Sequence, residues 1–372
     1  MGARVRLRNV PRRNKSRPTL ATVAAELGVS RTTVSNAYNH PEQLSPVLRR
    51  KILAKARALG YPGPNPAARS LRTRRTGAIG VVLTEHLTYA FEDDASVDFL
   101  AGVAEATSGT QTSLTLIPVG PDATSPTAPV AAAVVDGFIV YSVAHNDPYL
   151  KAALARGLPV VICGQPRAVP GADFVGLDER EAIKPAARAL LARGHRSIGV
   201  LAIRLLSRPT TGPVDAAALK AAALHIQRDR ILGILDECQD AGIDPSTVPV
   251  VTTHINDPAN ARRAAEQLLT QHPEITAVAC TTDSMALGVL DYASARGIRI
   301  PEDLSVTGFD GVGRALAEGL TTIIQPNVRK GQVAAALLDA AVSAQLAGTP
   351  REKSRVILPT EFHPGRTVAA AR

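Results

Sequence analysis

"TLATVAAELGVSRTTVSNAYN", residues 19–39, carries two short helical patterns separated by one glycine. Thr19 stands where a hydroxyl can cap a helix whose apolar face is Leu20, Val23, Ala24 and Leu27. Gly28 supplies the turn and Ser30 can cap a second helix. That spacing predicts a helix-turn-helix. Just downstream, "LSPVLRRKILAKARALGYPGP" (44–64) offers Ser45 and Pro46 as cap and first-turn residue, Leu48, Ile52, Ala56 and Leu59 as one face, and Gly60 as the stop. A three-helix unit over 18–63 is therefore expected, with Val23, Leu27, Val34, Leu48 and Ile52 in its core. Val34 and Ala37 point inward, which leaves Arg31, Thr32, Ser35 and Asn36 outward on the second helix. In this motif that helix lies in the DNA major groove. Arg31 has the fork for guanine and Asn36 the amide for adenine.

The charge distribution supports a polyanion partner. Residues 1–76 hold 17 Lys and Arg against Glu26 and Glu42, whereas the remaining residues hold 25 basic against 31 acidic side chains. Net charge is +9 overall, but one end of the chain is strongly cationic and the rest mildly anionic. Residues 1–17 read as a basic disordered tail. In "NPAARSLRTRRTG" (65–77) one large apolar residue, Leu71, stands among Arg69, Arg72, Arg74 and Arg75. Asn65 and Pro66 begin a helix well, but a helix from Pro66 to about Leu71 is too short to be stable alone in water.

The 372 residues suffice for two or three domains. With 45% hydrophobic residues, 3% aromatics and no Trp, the core must rest on Ala, Val, Leu and Ile. Cys163, Cys238 and Cys280 form no C-x-x-C pair, and no leader or membrane-length apolar run is seen, so a reduced, cytoplasmic protein is expected. From Ala78 onward short apolar strands ("AIGVVL", "GFIVYS", "PVVICG", "SIGVLAI", "AVACTT", "LSVTGF") alternate with Ala-rich helical stretches. Such alternation predicts parallel sheets, and the length calls for two similar α/β lobes.

Together with "VDGFIVYS", "RGHRSIGVL", "TTDSMALGVLDYASARGIRIPEDLSVTGFDG" and "LTTIIQP", the head and hinge resemble the lactose-repressor (LacI/GalR) family of transcriptional regulators over nearly the whole chain. The resemblance implies a small all-α helix-turn-helix head joined to an α/β core of two doubly wound parallel-sheet lobes, of the periplasmic-binding-protein-like type I kind. The expected boundaries are 18–63 for the head, 64–76 for hinge helix and linker, and 77–372 for the effector-binding and dimerisation core. The first lobe would hold about 77–176 and 325–348, the second about 177–324 and 349–366. The resemblance also implies that the hinge orders on the operator, with Ala68, Leu71 and Arg72 at the DNA and Leu71 as a wedge in the minor groove. A wedge of this kind unstacks a base step, and flanking arginine contacts to phosphates offset that cost.

A small-molecule effector, a sugar or similar polar metabolite, would bind in the cleft where strand carboxyl ends open. Arg230 in "RDRILGIL" and Asp310 in "GFDG" match the family's effector-holding arginine and aspartate. Asp283 follows a strand, where it can accept a ligand hydroxyl or cap a helix. Tyr89, Phe91 and Phe99 lie in the first crossover and could stack on a ring, although core packing accounts equally well for Phe99. That crossover, "TEHLTYAFEDDASVDF", is unusually acidic and aromatic, and the stretch from Arg204 to Asp229 reads as an enlarged loop.

The sequence offers no catalytic constellation, metal-ligand spacing or cofactor motif. It has no Gly-Lys pair for a P-loop and no G-x-S-x-G, and Leu316 in "GVGRAL" breaks the dinucleotide fingerprint. The expected protein is a ligand-responsive regulator, by family default a repressor of sugar-related genes, binding a palindromic double-stranded operator as a homodimer with no membrane partner. An activator is the alternative, and an exported solute-binding protein a remote one. The C-terminal "GRTVAAAR" has no leucine heptads, so no tetramerising tail is expected.

Overall fold

Three hydroxyl-capped helices, Leu20–Leu27, Arg31–Asn39 and Pro46–Leu59, follow one another near the N-terminal end of the described residues. The computed structural model describes residues 18–64, 70, 74–83, 88–117, 119–120 and 127–372. The chain divides into two units, Met1–Thr76 and Gly77–Arg372. The basic stretch 1–17 and the hinge positions Ala68, Leu71 and Arg72 lie outside the described residues.

In the first unit the backbone N–H of Thr22 donates to Thr19 Oγ1 (3.3 Å), that of Thr33 to Ser30 Oγ (3.0 Å) and that of Leu48 to Ser45 Oγ (3.3 Å). Each cap satisfies an amide that the first helical turn leaves without a partner. Gly28 and Gly60 end the first and third helices at φ of 65° and 73°, a left-handed conformation in which any Cβ is strained. Val23, Val34, Ala37 and Ile52 are fully buried, with Ala24, Ala56 and Tyr61 beside them. Leu27 and Leu48, expected at the centre, pack on the periphery instead. The ring of Tyr61 fills part of that space, set edge-on to Tyr38 at 6.0 Å.

In the second unit, strands β1 (Ala78–Leu83), β2 (Ser113–Ile117), β3 (Gly137–Tyr141), β4 (Val160–Cys163) and β5 (Asp173–Gly176) form a parallel sheet in the order β5-β4-β3-β1-β2. A second sheet contains β6 (Ile198–Ile203), β7 (Gly212–Pro213), β8 (Val250–Thr253), β9 (Ala277–Cys280) and β10 (Ser305–Thr307), in the order β10-β9-β6-β8-β7. It is parallel except for β7. Three strands complete the fold: β11 (Thr322–Ile324), β12 (Arg355–Ile357) and β13 (Glu361–His363). β11 and β13 pair antiparallel, and β12 joins the outer edge of β5 in the first sheet.

That last pairing corrects the expected lobe boundary, because 349–366 is shared between the lobes. The edge of β5 would otherwise leave its backbone groups unpaired. Buried Asp173 fixes the join: its carboxylate accepts from Arg351 Nη1 (2.8 and 2.9 Å) and from Ser354 N (2.7 Å). The lobes are thus linked by three chain crossings, after β5, after β11 and after β12.

Helix Asn327–Ala347 returns to the first lobe and packs on helix Asp94–Thr107. The two backbones come so close that a Cβ on Gly102 would stand 1.9 Å from Val328 O. In a chain poor in aromatics, Phe99, Phe138 and Phe309 are wholly buried, each contributing roughly 1.5–3 kcal/mol. The stretch expected as an enlarged loop before Arg230 holds β7 and a short helix, Ala216–Lys220, and the helix carrying Arg230 begins at His225.

Asp173→Ala leaves Arg351 without its carboxylate and frees β12 from the sheet edge. It should lower stability by about 3 kcal/mol, measured as a shift in the urea midpoint by circular dichroism of the full chain.

Candidate functional site

On the second helix of the head, Arg31 and Thr32 are exposed, Ser35 and Asn36 half-buried, and Val34 and Ala37 buried. The face assigned from sequence is therefore the face presented to solvent. Two of its members already have partners. Asn36 Nδ2 donates to Gln43 Oε1 (2.8 Å), and Ser35 Oγ accepts from Asn39 Nδ2 (3.1 Å). On the third helix Arg49, Arg50, Lys51 and Arg57 are exposed, which gives the head a cationic surface for phosphates.

In the core, a cavity of about 110 Å³ opens where the carboxyl ends of strands from both lobes face each other. Arg230 lies at its base, 4% exposed. Its Nε donates to Glu179 Oε2 (2.8 Å) and its Nη1 to the carbonyl of Thr281 (2.7 Å). A longer contact of 3.5 Å reaches Asp310 Oδ1. The guanidinium also lies 3.6 Å from the ring centre of Phe309. Asp310 continues the chain of contacts, since its Oδ1 accepts from Gln325 Nε2 while Gln325 Oε1 accepts from Lys330 Nζ (2.6 Å).

The backbone at Asp310 is strained, with φ at 134°, a conformation that favours glycine. Its N–H donates to Ile323 O (2.9 Å), and its carbonyl accepts from Gln325 N (3.2 Å), which holds that geometry against β11. Burial raises the Asp310 carboxyl well above the usual carboxylate range, with Arg230 opposing the shift. Burial likewise lowers Lys330, and it brings Arg204 on the cavity wall down to about 10.

The two lobes touch on both sides of this cavity. Asn256 Nδ2 donates to Tyr89 Oη (2.6 Å), and Asn256 Oδ1 accepts from Ser284 Oγ (2.9 Å). At the other side Gln165 Oε1 accepts from Ile226 N (3.0 Å), and Arg167 pairs with Asp229 (3.2 Å).

Of the six core residues expected to hold the effector, the structure brings Arg230, Asp310 and Tyr89 together at the cavity. Three are corrected. Phe99 is wholly buried, its ring 4.3 Å from Tyr141, and belongs to the core of the first lobe. Phe91 is 65% exposed and does not line the cavity. On the four-residue helix Tyr89–Glu92, Ala90 is buried and Tyr89 faces the cavity, which turns the following Phe91 to solvent. Asp283 is fully buried, does not line this cavity and borders only the hollow beside it. Its Oδ1 accepts from Thr322 Oγ1 (2.6 Å) and its Oδ2 from Val312 N (3.0 Å), so it ties a helix start to the Asp310 loop and to β11. Burial pushes its carboxyl up to about 6.

Sequence reasoning missed Glu179, Gln165, Asn256, Gln325 and Lys330. The first four follow closely on strand carboxyl ends, a position that could have flagged them. Lys330, in "NVRKGQ", reads as an ordinary basic residue on a helix surface.

Comparison with known proteins gives a consistent picture. A periplasmic binding protein-like domain matches residues 187–368. The HTH-type transcriptional regulator IpsA of Corynebacterium glutamicum is 52% identical over 355 residues, covering 94% of this chain and 97% of that one. The crystal structure of a LacI-family transcriptional regulator from Corynebacterium glutamicum is similar at 48% identity and a TM-score of 0.73, over 94% of this chain and 98% of the other. A complex of the transcriptional regulator CelR with cellobiose shares 27% identity at a TM-score of 0.65, over 94% and 100% of the two chains.

Near the cleft, burial and Arg167 lower His225 from its usual value to about 4. The unfolded chain therefore takes up a proton near pH 6.5 that the folded chain refuses until about pH 4, and stability is lost as pH falls through that window. His225→Phe should flatten the slope of urea stability against pH between 6.5 and 4. An unchanged slope would place the proton uptake elsewhere.

Proposed function

The chain belongs to the LacI family of HTH-type transcriptional regulators, and on that premise we propose that it represses its target genes as a homodimer on a palindromic operator, under control of a sugar or related polyol held in the cleft. The observation that carries the effector reading is the buried chain Glu179–Arg230–Asp310–Gln325–Lys330. It gathers fixed donors and acceptors around a cavity at strand carboxyl ends, and recognising several hydroxyls at once needs both kinds of group. The cellobiose held by CelR supports the same ligand class. Arg230 and Asp310 are the effector anchors in this reading, and Tyr89 closes the cavity through Asn256.

Arg31, Thr32, Ser35 and Asn36 read base edges, and the cationic third helix holds phosphates. Ala68, Leu71 and Arg72 of the hinge are assigned to the operator centre from the family resemblance. We place the protein in the cytoplasm, with the DNA it is proposed to bind; among the described residues no helix is long and apolar enough to cross a membrane.

Arg31→Ala should cost about 1–3 kcal/mol on the preferred operator and relax the choice at one base step. Fluorescence-anisotropy titrations against operator and random duplexes test this, and equal losses on both would remove Arg31 from the readers. Arg230→Ala should abolish the effect of effector on operator affinity in the same titrations. A variant that still responded as the parent does would place the effector elsewhere.

A further inference from the structure

We infer that Lys330 is a specificity-determining residue of the effector cavity, and that its ammonium donates two hydrogen bonds to neighbouring oxygens of a neutral sugar or polyol. The inference rests on the cleft reading given above. An ammonium carries three donors. Lys330 is 6% exposed and lines the cavity, yet among the described residues its Nζ has one hydrogen-bond acceptor, Gln325 Oε1 at 2.6 Å, and no carboxylate within ion-pair distance. The ring of Tyr141 lies 6.0 Å away and offers the charge a weak attraction only. A buried cation with two open donors is costly to the fold. A methionine would fill the same space on helix Asn327–Ala347 without that cost, so packing gives no reason for the lysine.

The surrounding charges decide which oxygens complete the shell. The cavity wall sets three cationic side chains, Arg204, Arg230 and Lys330, among three carboxyl groups, Asp93, Glu179 and Asp310, so it is not a cluster of cationic groups alone of the kind that selects an anion. A hollow of about 280 Å³ adjoins the cavity and shares Tyr89, Asp93, Asn256 and Asp310 with it. It adds Glu92, Asp94, Asp257, Asp283 and Asp291 against Arg314. The field there repels phosphate and carboxylate. Hydroxyls meet both demands, since their lone pairs can accept from Lys330 while their hydrogens reach the remaining capacity of Asp310.

The test is calorimetry of the full chain with cellobiose, D-glucose, D-ribose and D-glucitol, and with glucose 6-phosphate and ribose 5-phosphate as anionic counterparts. At least one neutral member should bind, and its phosphate should bind at least tenfold more weakly. Lys330→Met should weaken the best neutral ligand about 10- to 100-fold, the loss of one or two charge-assisted hydrogen bonds. Among deoxy analogues of that ligand, one should lose affinity for the parent protein but no further affinity for Lys330→Met, a coupling that a purely structural lysine would not produce.

Parent-like affinity in Lys330→Met, or losses that simply add for every analogue, would overturn the role of Lys330 and leave the cleft reading intact. Tighter binding of the phosphates would overturn the neutral class. Binding by none of the neutral sugars and polyols, or parent-like binding in Arg230→Ala, would overturn the cleft reading itself. Should Lys330→Met fail to fold, Lys330→Gln carries the same test: weakening supports the role and parent-like affinity overturns it.

Discussion

Burial of the Arg230 guanidinium is the constraint around which the core is organised. A charge at 4% exposure is tolerated only if its donors are met, and the acceptors that meet them come from separate elements. Glu179 begins the helix after β5, Thr281 follows β9, and Asp310 lies in the loop between β10 and β11. Phe309 lies against the guanidinium face. The carboxyl ends of three strands are therefore held at one point, and the pocket at that point is a consequence of the same contacts. Removing the arginine would leave Glu179 and Asp310 as buried carboxyl groups without their cation, so one side chain both holds these elements together and shapes the cavity.

The strain at Asp310 belongs to the same arrangement. A φ of 134° at a non-glycine residue persists only when its surroundings over-determine it. Here both backbone groups of Asp310 are committed to the segment Ile323–Gln325, and Gly311 follows at a position where a Cβ would stand 2.6 Å from Ile324 Cα. Asp283 secures the loop from the other side through Val312 and Thr322. A carboxylate expected at the ligand instead holds in place the carboxylate that does line the cavity.

Legibility in the sequence followed the range of the interactions involved. The head was readable almost residue by residue, because caps, turn glycines and helix faces are set within a few positions of each other, and Thr19, Ser30, Ser45, Gly28 and Gly60 all occupy the roles their neighbours imply. The two-lobe core was readable as a class from its alternation, and Arg230 and Asp310 through resemblance. The path of the C-terminal segment was not, because the placement of β12 depends on Asp173, far away in sequence. The rest of the cavity depends on contacts of the same long range. Gln325 directly follows β11 and Lys330 lies five residues on, in the first turn of helix Asn327–Ala347, and they become a site only when that helix returns across the lobes. Phe99 and Phe91 were ambiguous for a related reason: an aromatic next to a crossover serves core or ligand according to a helix phase that the sequence leaves open.

Effector control requires that the lobes have two arrangements close in free energy, and the contacts across the cleft are of a kind that allows this. Tyr89 with Asn256, Gln165 with the Ile226 amide and Arg167 with Asp229 are polar contacts, each worth about 1–2 kcal/mol net against water. Three short chain crossings permit relative motion of the lobes without loss of either sheet. A ligand needs only a differential affinity of a few kcal/mol between the two arrangements to shift the population decisively. Hydrogen bonds to the buried groups of the cavity can supply that difference, since they form in full only when both lobes contribute their strand ends. Whatever binds there must in turn be bound more or less tightly when operator DNA is present, by the same factor, because linkage between two sites is reciprocal.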